Sequence, residues 1–147
     1  MATADRRAEA QWQGALTSGS GEVSLQSSGT GTFPVTWASR VESPDGRTSP
    51  EELLAAAHAA CYSMAFSATL ARGDTPPDRL HVTCTVSLNP KEGGGFRVTD
   101  SKLEVDGVVP GLDQAGFQAA AETAEQGCPI SNAIRNNVAI SVTATLA

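Results

Sequence analysis

The first third of the chain alternates short stretches rich in Thr, Val and aromatic residues with clusters of Gly and Ser. Three such stretches lie near Ala8–Gly14, Glu22–Ser27 and Thr32–Val41, separated by the clusters SGSG and SSGTG. Short β-branched and aromatic stretches bounded by turn residues are typical of strands. The pattern therefore predicts three strands in this part of the chain.

The stretch TSPEELLAAAHAACYSMAFS predicts a long apolar helix. Ser49 suits the N-cap, Pro50 the first helical position and Glu52 the third position of a capping box. The helix should run to about Arg72 and end before Gly73. Because apolar residues occupy every side, we expect a central buried helix enclosed by sheet and by a second subunit, hence a homodimer.

The remainder of the chain predicts two strands, two helices and a final strand. Residues 81–88 alternate between polar and apolar side chains, with Cys84 on the apolar face. Asp113 suits the N-cap of the helix that follows the return strand. The predicted bounds are His81–Leu88, Phe96–Val109, Asp113–Gln126, Pro129–Arg135 and Val138–Leu146. The order β-β-β-α-β-β-α-α-β predicts one α+β domain over residues 1–147.

The net charge and the cysteine count narrow the classes of function. The chain has 147 residues, a formal net charge of -6 at pH 7 and no run of Lys or Arg, which argues against nucleic acid or a membrane surface as partner. The first residues contain no apolar stretch, so we expect no secretory signal. Three cysteines in such a chain are expected to be reduced thiols in the cytoplasm.

Membrane-spanning and metal-binding functions are not expected either. Leu53–Leu70 has about the 18 residues that suggest a transmembrane helix, but His58, Ser63 and Ser67 interrupt it. No C-x-x-C or H-x-x-x-H spacing brings three metal ligands together, so we expect neither a metal nor a cofactor.

The three cysteines have different surroundings. Cys84 lies among Val and Leu on one face of a strand, which favours a structural thiol. Cys128 lies at the N-cap of the helix that begins at Pro129, where amide N–H groups and the helix dipole favour a thiolate. A tight corner that needs a small residue explains Cys128 equally well.

Cys61 lies in the middle of its helix, so no helix terminus is expected to lower its pKa. Apolar burial would raise that pKa, so a reactive Cys61 requires a cation from elsewhere in the fold. His58 shares its helix face three residues earlier. A Cys/His hydrolase needs a third, orienting group, and none is nearby. We therefore expect His58 to be a hydrogen-bonded core residue.

Two cysteine motifs give the chain a specific resemblance. SPEELLAAAHAAC and GCPISNAI, with 66 residues between the two cysteines, resemble the paired signatures of the OsmC/Ohr family of osmotically inducible and organic hydroperoxide resistance proteins. The resemblance extends from AQWQG through VPGLD to the last strand. It implies an OsmC/Ohr-like fold, with antiparallel sheets wrapped around central helices in an intertwined homodimer whose active sites lie at the subunit interface.

The resemblance also implies an activity. Such a protein would be a thiol peroxidase that reduces organic hydroperoxides, with Cys61 as the peroxidatic thiol and Cys128 as the resolving thiol. An external dithiol, of the lipoyl type in this family, would reduce the resulting disulfide. The rival interpretations are a non-catalytic redox-sensing or ligand-binding dimer and a structural stress protein.

The family pattern further implies an acid and an arginine at the site. Glu51 matches the acid, whereas Gly19 and Ser20 occupy the region where the hydroperoxide resistance branch carries its arginine. The osmotically inducible branch has the arginine at the end of the strand before the main helix, where TWASRV provides Arg40. The motif HAAC, with a histidine three residues before Cys61, also favours the osmotically inducible branch. Arg47 and Arg72 are competing candidates that we expect to be surface charges.

Glu51 cannot approach the thiol within one straight helix. It precedes Cys61 by ten residues, which is about 15 Å along a helix axis. We therefore expect that a partner helix or a break in the first turn brings Glu51 to Cys61.

Overall fold

The computed structural model describes residues 1–147 and contains six strands and four helices. It comprises two compact units, Met1–Pro50 and Glu51–Ala147. The strands are β1 (Glu9–Gln13), β2 (Ser20–Ser24), β3 (Thr32–Val35), β4 (Arg79–Pro90), β5 (Phe96–Val108) and β6 (Ala139–Leu146). The helices are α1 (Trp37–Val41), α2 (Pro50–Arg72), α3 (Gln114–Gly127) and α4 (Pro129–Ile134).

The first unit is an antiparallel sheet of order β1-β2-β3 followed by α1. The predicted third strand was too long, because residues 37–41 form α1. A capping box begins this helix: the Ser39 amide donates to Thr36 Oγ1 and the Thr36 amide donates to Ser39 Oγ, both at 3.0 Å. Arg40 therefore lies on a helix and not at the end of a strand.

Hydrophobic burial is sparse in this first unit. Ser39 is its only buried residue, and large side chains on or beside the sheet, among them Trp12, Leu16 and Phe33, are exposed. These side chains leave apolar surface of the first unit accessible in the single chain.

The second unit is organised around α2, whose predicted bounds are confirmed. One face of α2 is buried and carries His58, Tyr62, Phe66 and Leu70. The ring centroids of Phe66 and Phe117 of α3 lie 5.0 Å apart. α2 is also the one helix long and apolar enough to cross a membrane, a test that the core helix of a soluble protein passes too.

The sheet of the second unit has the order β4-β5-β6. β4 and β5 are antiparallel, whereas β6 pairs with β5 in parallel, which differs from the expected antiparallel sheets. The parallel pairing is possible because α3 and α4 form the crossover connection that parallel strands need. The α+β class is confirmed, and the alternation that places Cys84 on the inner face of β4 is observed. The single-domain interpretation stays a prediction.

Gly107 of β5 is required by the packing of α3 against the sheet. A Cβ at this position would lie 2.4 Å from Cζ of Phe117, whose ring is fully buried. Gly107→Ala should therefore lower the free energy of unfolding by about 1–3 kcal/mol, because an overpacked core must shift. Urea denaturation of the purified protein measures this change.

Gly127→Ala is the matched control, because no atom lies within 4 Å of its added Cβ. Gly127 is the last residue of α3, and Ala is favoured over Gly in helices by roughly 0.5–1 kcal/mol. Equal destabilisation by the two substitutions would contradict the packing explanation.

Candidate active site

The thiols of Cys61 and Cys128 lie together in the second unit. Cys128 forms the corner between α3 and α4, as the C-cap of one helix and the N-cap of the other. Its side chain is fully buried and makes no capping hydrogen bond. Both cysteines are free, and the Cys128 side chain lies near enough to Cys61 to raise its pKa. The structure thus brings together two residues 67 positions apart in the sequence.

The surroundings of Cys61 act on its pKa in opposite directions. Burial raises the pKa above its ordinary value, and the neighbouring Cys128 thiol adds to that increase. The nearby backbone N–H of Ile130 lowers the pKa, but by less than burial raises it. Cys61 lies in the middle of α2, and the N–H that lowers its pKa belongs to the first turn of a different helix, α4.

A cavity of about 430 Å³ opens beside Cys61. Its wall is formed by side chains of α2, by residues at the α3–α4 corner and by Arg72 at the end of α2. The lining residues are Cys61, Met64, Ala65, Ala68, Thr69, Arg72, Gly127 and Pro129. The thiol can therefore be approached by a substrate with an apolar part.

His58 lies in a buried chain of polar groups. Its Nδ1 is 2.7 Å from Ser101 Oγ of β5, and its Nε2 is 2.8 Å from Ser131 Oγ of α4. Cys84 Sγ is 3.3 Å from Ser101 Oγ and 3.8 Å from His58 Nδ1. The three side chains His58, Ser101 and Ser131 are fully buried. As expected, His58 is a hydrogen-bonded core residue. The thiol that its ring contacts is that of Cys84.

Burial determines the protonation of this network. It lowers the pKa of His58, against a smaller opposing effect of the Glu125 carboxylate, so the imidazole is neutral near pH 7. Burial also raises the pKa of Cys84, although the hydrogen bond from Ser101 lowers it. Cys84 is therefore a protonated thiol, as its expected structural role requires.

An ion pair holds the far end of α4 to α3. Arg135 Nη2 lies 2.8 Å from Glu125 Oε1 and also donates to the Glu125 carbonyl at 3.2 Å. Sequence reasoning missed this pair and the roles of Ile130 and Ser131 in the hydrogen bonds to α2. The motif GCPISNAI contains both Ile130 and Ser131. No local sequence pattern indicates the hydrogen bond of Ser101 to His58 or the ion pair between Glu125 and Arg135.

Glu51 and Arg40 lie in different units, Glu51 on α2 and Arg40 on α1. Glu51 is buried in the first turn of α2. Because α2 is continuous from Pro50 to Arg72, a break in its first turn does not bring Glu51 to Cys61. Arg40 is exposed on α1, and its guanidinium lies over the Trp37 ring, 6.0 Å from the centroid.

The competing arginines have local partners. Arg47 lies 3.5 Å from the Asp45 carboxylate, and Arg72 donates to Thr69 Oγ1 at 3.1 Å. Arg72 also borders the Cys61 cavity. No group of three His, Cys, Asp or Glu side chains could hold a metal ion.

Comparison with known proteins identifies the family. Residues 43–143 match the family described as OsmC-like protein. This chain belongs to the OsmC-like family. It is 36% identical to Peroxiredoxin OsmC of Escherichia coli strain K12 over 138 residues, which cover 94% of this chain and 95% of that protein. It is 40% identical to the organic hydroperoxide resistance protein of Xanthomonas axonopodis pv. citri over 101 residues, 65% of this chain and 66% of that protein.

Crystal structures of OsmC-like and related proteins share the fold. The organic hydroperoxide resistance protein OhrB of Bacillus subtilis superposes with a TM-score of 0.75 at 26% identity, covering 95% of this chain and 98% of OhrB. An organic hydroperoxide resistance protein OsmC from Legionella pneumophila superposes with a TM-score of 0.77 at 26% identity, and 99% of each chain is covered.

The lowered pKa of His58 predicts a pH-dependent stability. The unfolded chain binds the proton with an ordinary pKa of 6.5, while the folded chain binds it only at lower pH, so acid favours unfolding. The free energy of unfolding should fall from about pH 7 to pH 5, with a slope from this proton of at most about 1.4 kcal/mol per pH unit. Denaturation at several pH values measures the slope.

His58→Gln should reduce this slope, because the other ionisable groups are common to both proteins. His81→Gln, at the other histidine of the chain, which is exposed on β4, is the matched control for the loss of a histidine. A slope unchanged by His58→Gln would exclude His58 as its source.

Proposed function

We propose that this protein is a thiol peroxidase that reduces organic hydroperoxides. The Cys61 thiolate attacks the outer peroxide oxygen, which releases an alcohol after protonation and leaves a sulfenic acid on Cys61. The Cys128 thiol then condenses with the sulfenic acid, forming a disulfide and water. An external dithiol, expected to be of the lipoyl type, returns both cysteines to thiols and is itself oxidised to a disulfide.

The proximity of the Cys61 and Cys128 thiols is the observation that carries this proposal. A disulfide requires the two side chains to approach closely, and these two side chains already lie near each other. The names of the relatives point the same way, because they are called peroxiredoxin and organic hydroperoxide resistance protein. The expected location in the cytoplasm, where such a thiol pair is kept reduced, stays a prediction.

The raised pKa of Cys61 means that the peroxidatic step needs a cation. We assign that role to Arg40, because a guanidinium keeps its charge and can stabilise both a thiolate and a peroxide oxygen. Glu51 would hold the guanidinium through a charge-assisted hydrogen bond. The continuous α2 leaves a partner subunit as the source of the Glu51 that acts on a given Cys61.

A homodimer would also cover apolar surface that is exposed in the single chain. The face of α2 opposite the core carries the stripe Ala56, Ala60, Met64 and Ala68 at four-residue spacing, all exposed, with Met64 69% accessible. Small alanine side chains allow a second helix to approach closely. The exposed aromatic residues of the first unit provide further surface for the same partner.

Apolar cavities favour an organic hydroperoxide over hydrogen peroxide. Besides the cavity at Cys61, the first unit has a cavity of about 340 Å³ beside Arg40. It is lined by Trp12, Leu16, Val35, Thr36, Trp37, Arg40 and Pro50. An alkyl or aryl group would replace water against these side chains, which is favourable in proportion to the apolar area buried.

Substitution of the cysteines tests the peroxidase. Cys61→Ser should abolish the consumption of cumene hydroperoxide with dihydrolipoamide as reductant, because it removes the nucleophile. Cys128→Ser should limit the protein to about one turnover, since the sulfenic acid then has no resolving thiol. Cys84→Ser removes the third thiol and should retain the native rate. Peroxide consumption and intact mass report the outcome.

A different result would select the sensing interpretation. If the native protein forms the disulfide once with hydroperoxide and shows no turnover with any of several thiol donors, the protein is a redox switch and not a peroxidase. Turnover that survives Cys61→Ser would contradict the assignment of the nucleophile.

Charge substitution on α2 tests the dimer. Ala60→Glu places an unpaired carboxylate in the proposed interface and should weaken dimerisation by about tenfold or more in Kd. Ala119→Glu makes the same change at an exposed alanine of α3 and should leave the dimer intact. Sedimentation equilibrium measures both constants, and equal dimer stability in the two variants would contradict the proposed interface.

A further inference from the structure

Two adjacent residues of α4, Ile130 and Ser131, lie beside two residues of α2 that are about one helical turn apart, Cys61 and His58. The Ile130 N–H lies close enough to Cys61 to lower the pKa of its thiol. The next residue, Ser131, shares a 2.8 Å hydrogen bond with His58 Nε2. His58 and Cys61 are three residues apart and therefore lie on the same face of α2. The hydrogen bond of Ser131 thus fixes the backbone that carries the Ile130 donor.

Few side-chain hydrogen bonds hold the first turn of α4, although Cys128 and Ile130 also pack in the hydrophobic core. α4 has six residues, and the side chain of its N-cap, Cys128, makes no capping hydrogen bond. The Arg135–Glu125 ion pair holds the last turn of α4 to α3 and not to α2. The side-chain hydrogen bond between His58 and Ser131 is therefore placed to set the distance between the Cys128 corner and α2.

We propose that His58 is a positioning residue that acts through Ser131, holding the first turn of α4 so that the Ile130 N–H and the Cys128 thiol both reach Cys61. This proposal rests on the peroxidase function proposed above. His58 does not touch the reacting atoms in this role. Its second hydrogen bond, to Ser101 of β5, lies on the opposite side of the ring and does not involve α4.

The proposed position matters most after the first oxidation. The Cys61 sulfenic acid can condense with the Cys128 thiol, giving a disulfide and water. Alternatively, a second hydroperoxide oxidises it to sulfinic acid and is itself reduced to an alcohol, which ends the catalytic cycle. Holding Cys128 close favours the disulfide, because the condensation is intramolecular and depends on the effective concentration of the two groups.

Two serine substitutions separate positioning from general stability. Ser131→Ala and Ser101→Ala each remove one fully buried hydroxyl that is bonded to the same imidazole, but Ser131 alone lies on α4. Both proteins would be treated with a series of excess concentrations of cumene hydroperoxide. Mass spectrometry of the Cys61 peptide then gives the ratio of sulfinic acid to disulfide, a ratio that does not depend on the amount of folded protein.

Ser131→Ala should raise the ratio of sulfinic acid to disulfide about fivefold or more, whereas Ser101→Ala should change it less than about twofold. Reduced Cys61 in Ser131→Ala should also react about threefold more slowly with iodoacetamide near pH 8, because losing the Ile130 donor raises the thiol pKa. Equal ratios in the two variants, or a native ratio in Ser131→Ala, would overturn the positioning role.

The alkylation measurement distinguishes this proposal from the proposed function. If hydroperoxide does not oxidise Cys61 even in the native protein, the peroxidase proposal fails. Slower alkylation of Cys61 in Ser131→Ala than in Ser101→Ala would then still support the positioning of α4, and equal alkylation would refute it.

Discussion

The packing of one face of α2 against the α3–α4 corner is the contact on which the candidate site depends. Tyr62, Phe66 and Leu70 bury this face, and Tyr62 Oη donates to the Ala121 carbonyl of α3 at 2.9 Å. Close-packed aromatic residues fix the rotation of α2 about its axis, since a turn of the helix would create both overlap and voids. Cys61 is therefore held towards Cys128.

The same packing creates an electrostatic problem for the thiol. Removing Cys61 from water favours the neutral form, and one amide donor from α4 does not offset this effect. A thiolate nucleophile in such surroundings depends on a cation. This requirement connects the chemistry of the site to its assembly, because the acid proposed to hold that cation lies about 15 Å along α2 from the thiol. Activation and dimerisation would then be two consequences of one long continuous helix.

The polar residues behind the site are arranged differently from the thiols. His58 is buried and neutral, it bonds to a strand on one side and a helix on the other, and no buried side-chain nitrogen or oxygen lacks a partner. Fully satisfied buried networks are rigid, because breaking any one bond leaves a group unpaired in a medium of low dielectric constant. The hydrogen bonds of His58 thus fix α2 relative to β5 and α4. Hydrophobic packing alone is less directional.

The sequence by itself determined the α+β class, most element bounds and the two cysteine motifs, because apolar periodicity, Pro50, Asp113 and the glycine turns act locally. The segment TWAS contains the capping box of α1, whereas its β-branched and aromatic residues alone predict a strand. Only the tertiary structure decided that α4 donates an amide to Cys61, that His58 joins Ser101 to Ser131, and that β6 runs parallel to β5. These features join residues 39 to 73 positions apart, and such contacts depend on how the helices and strands pack together rather than on any local pattern.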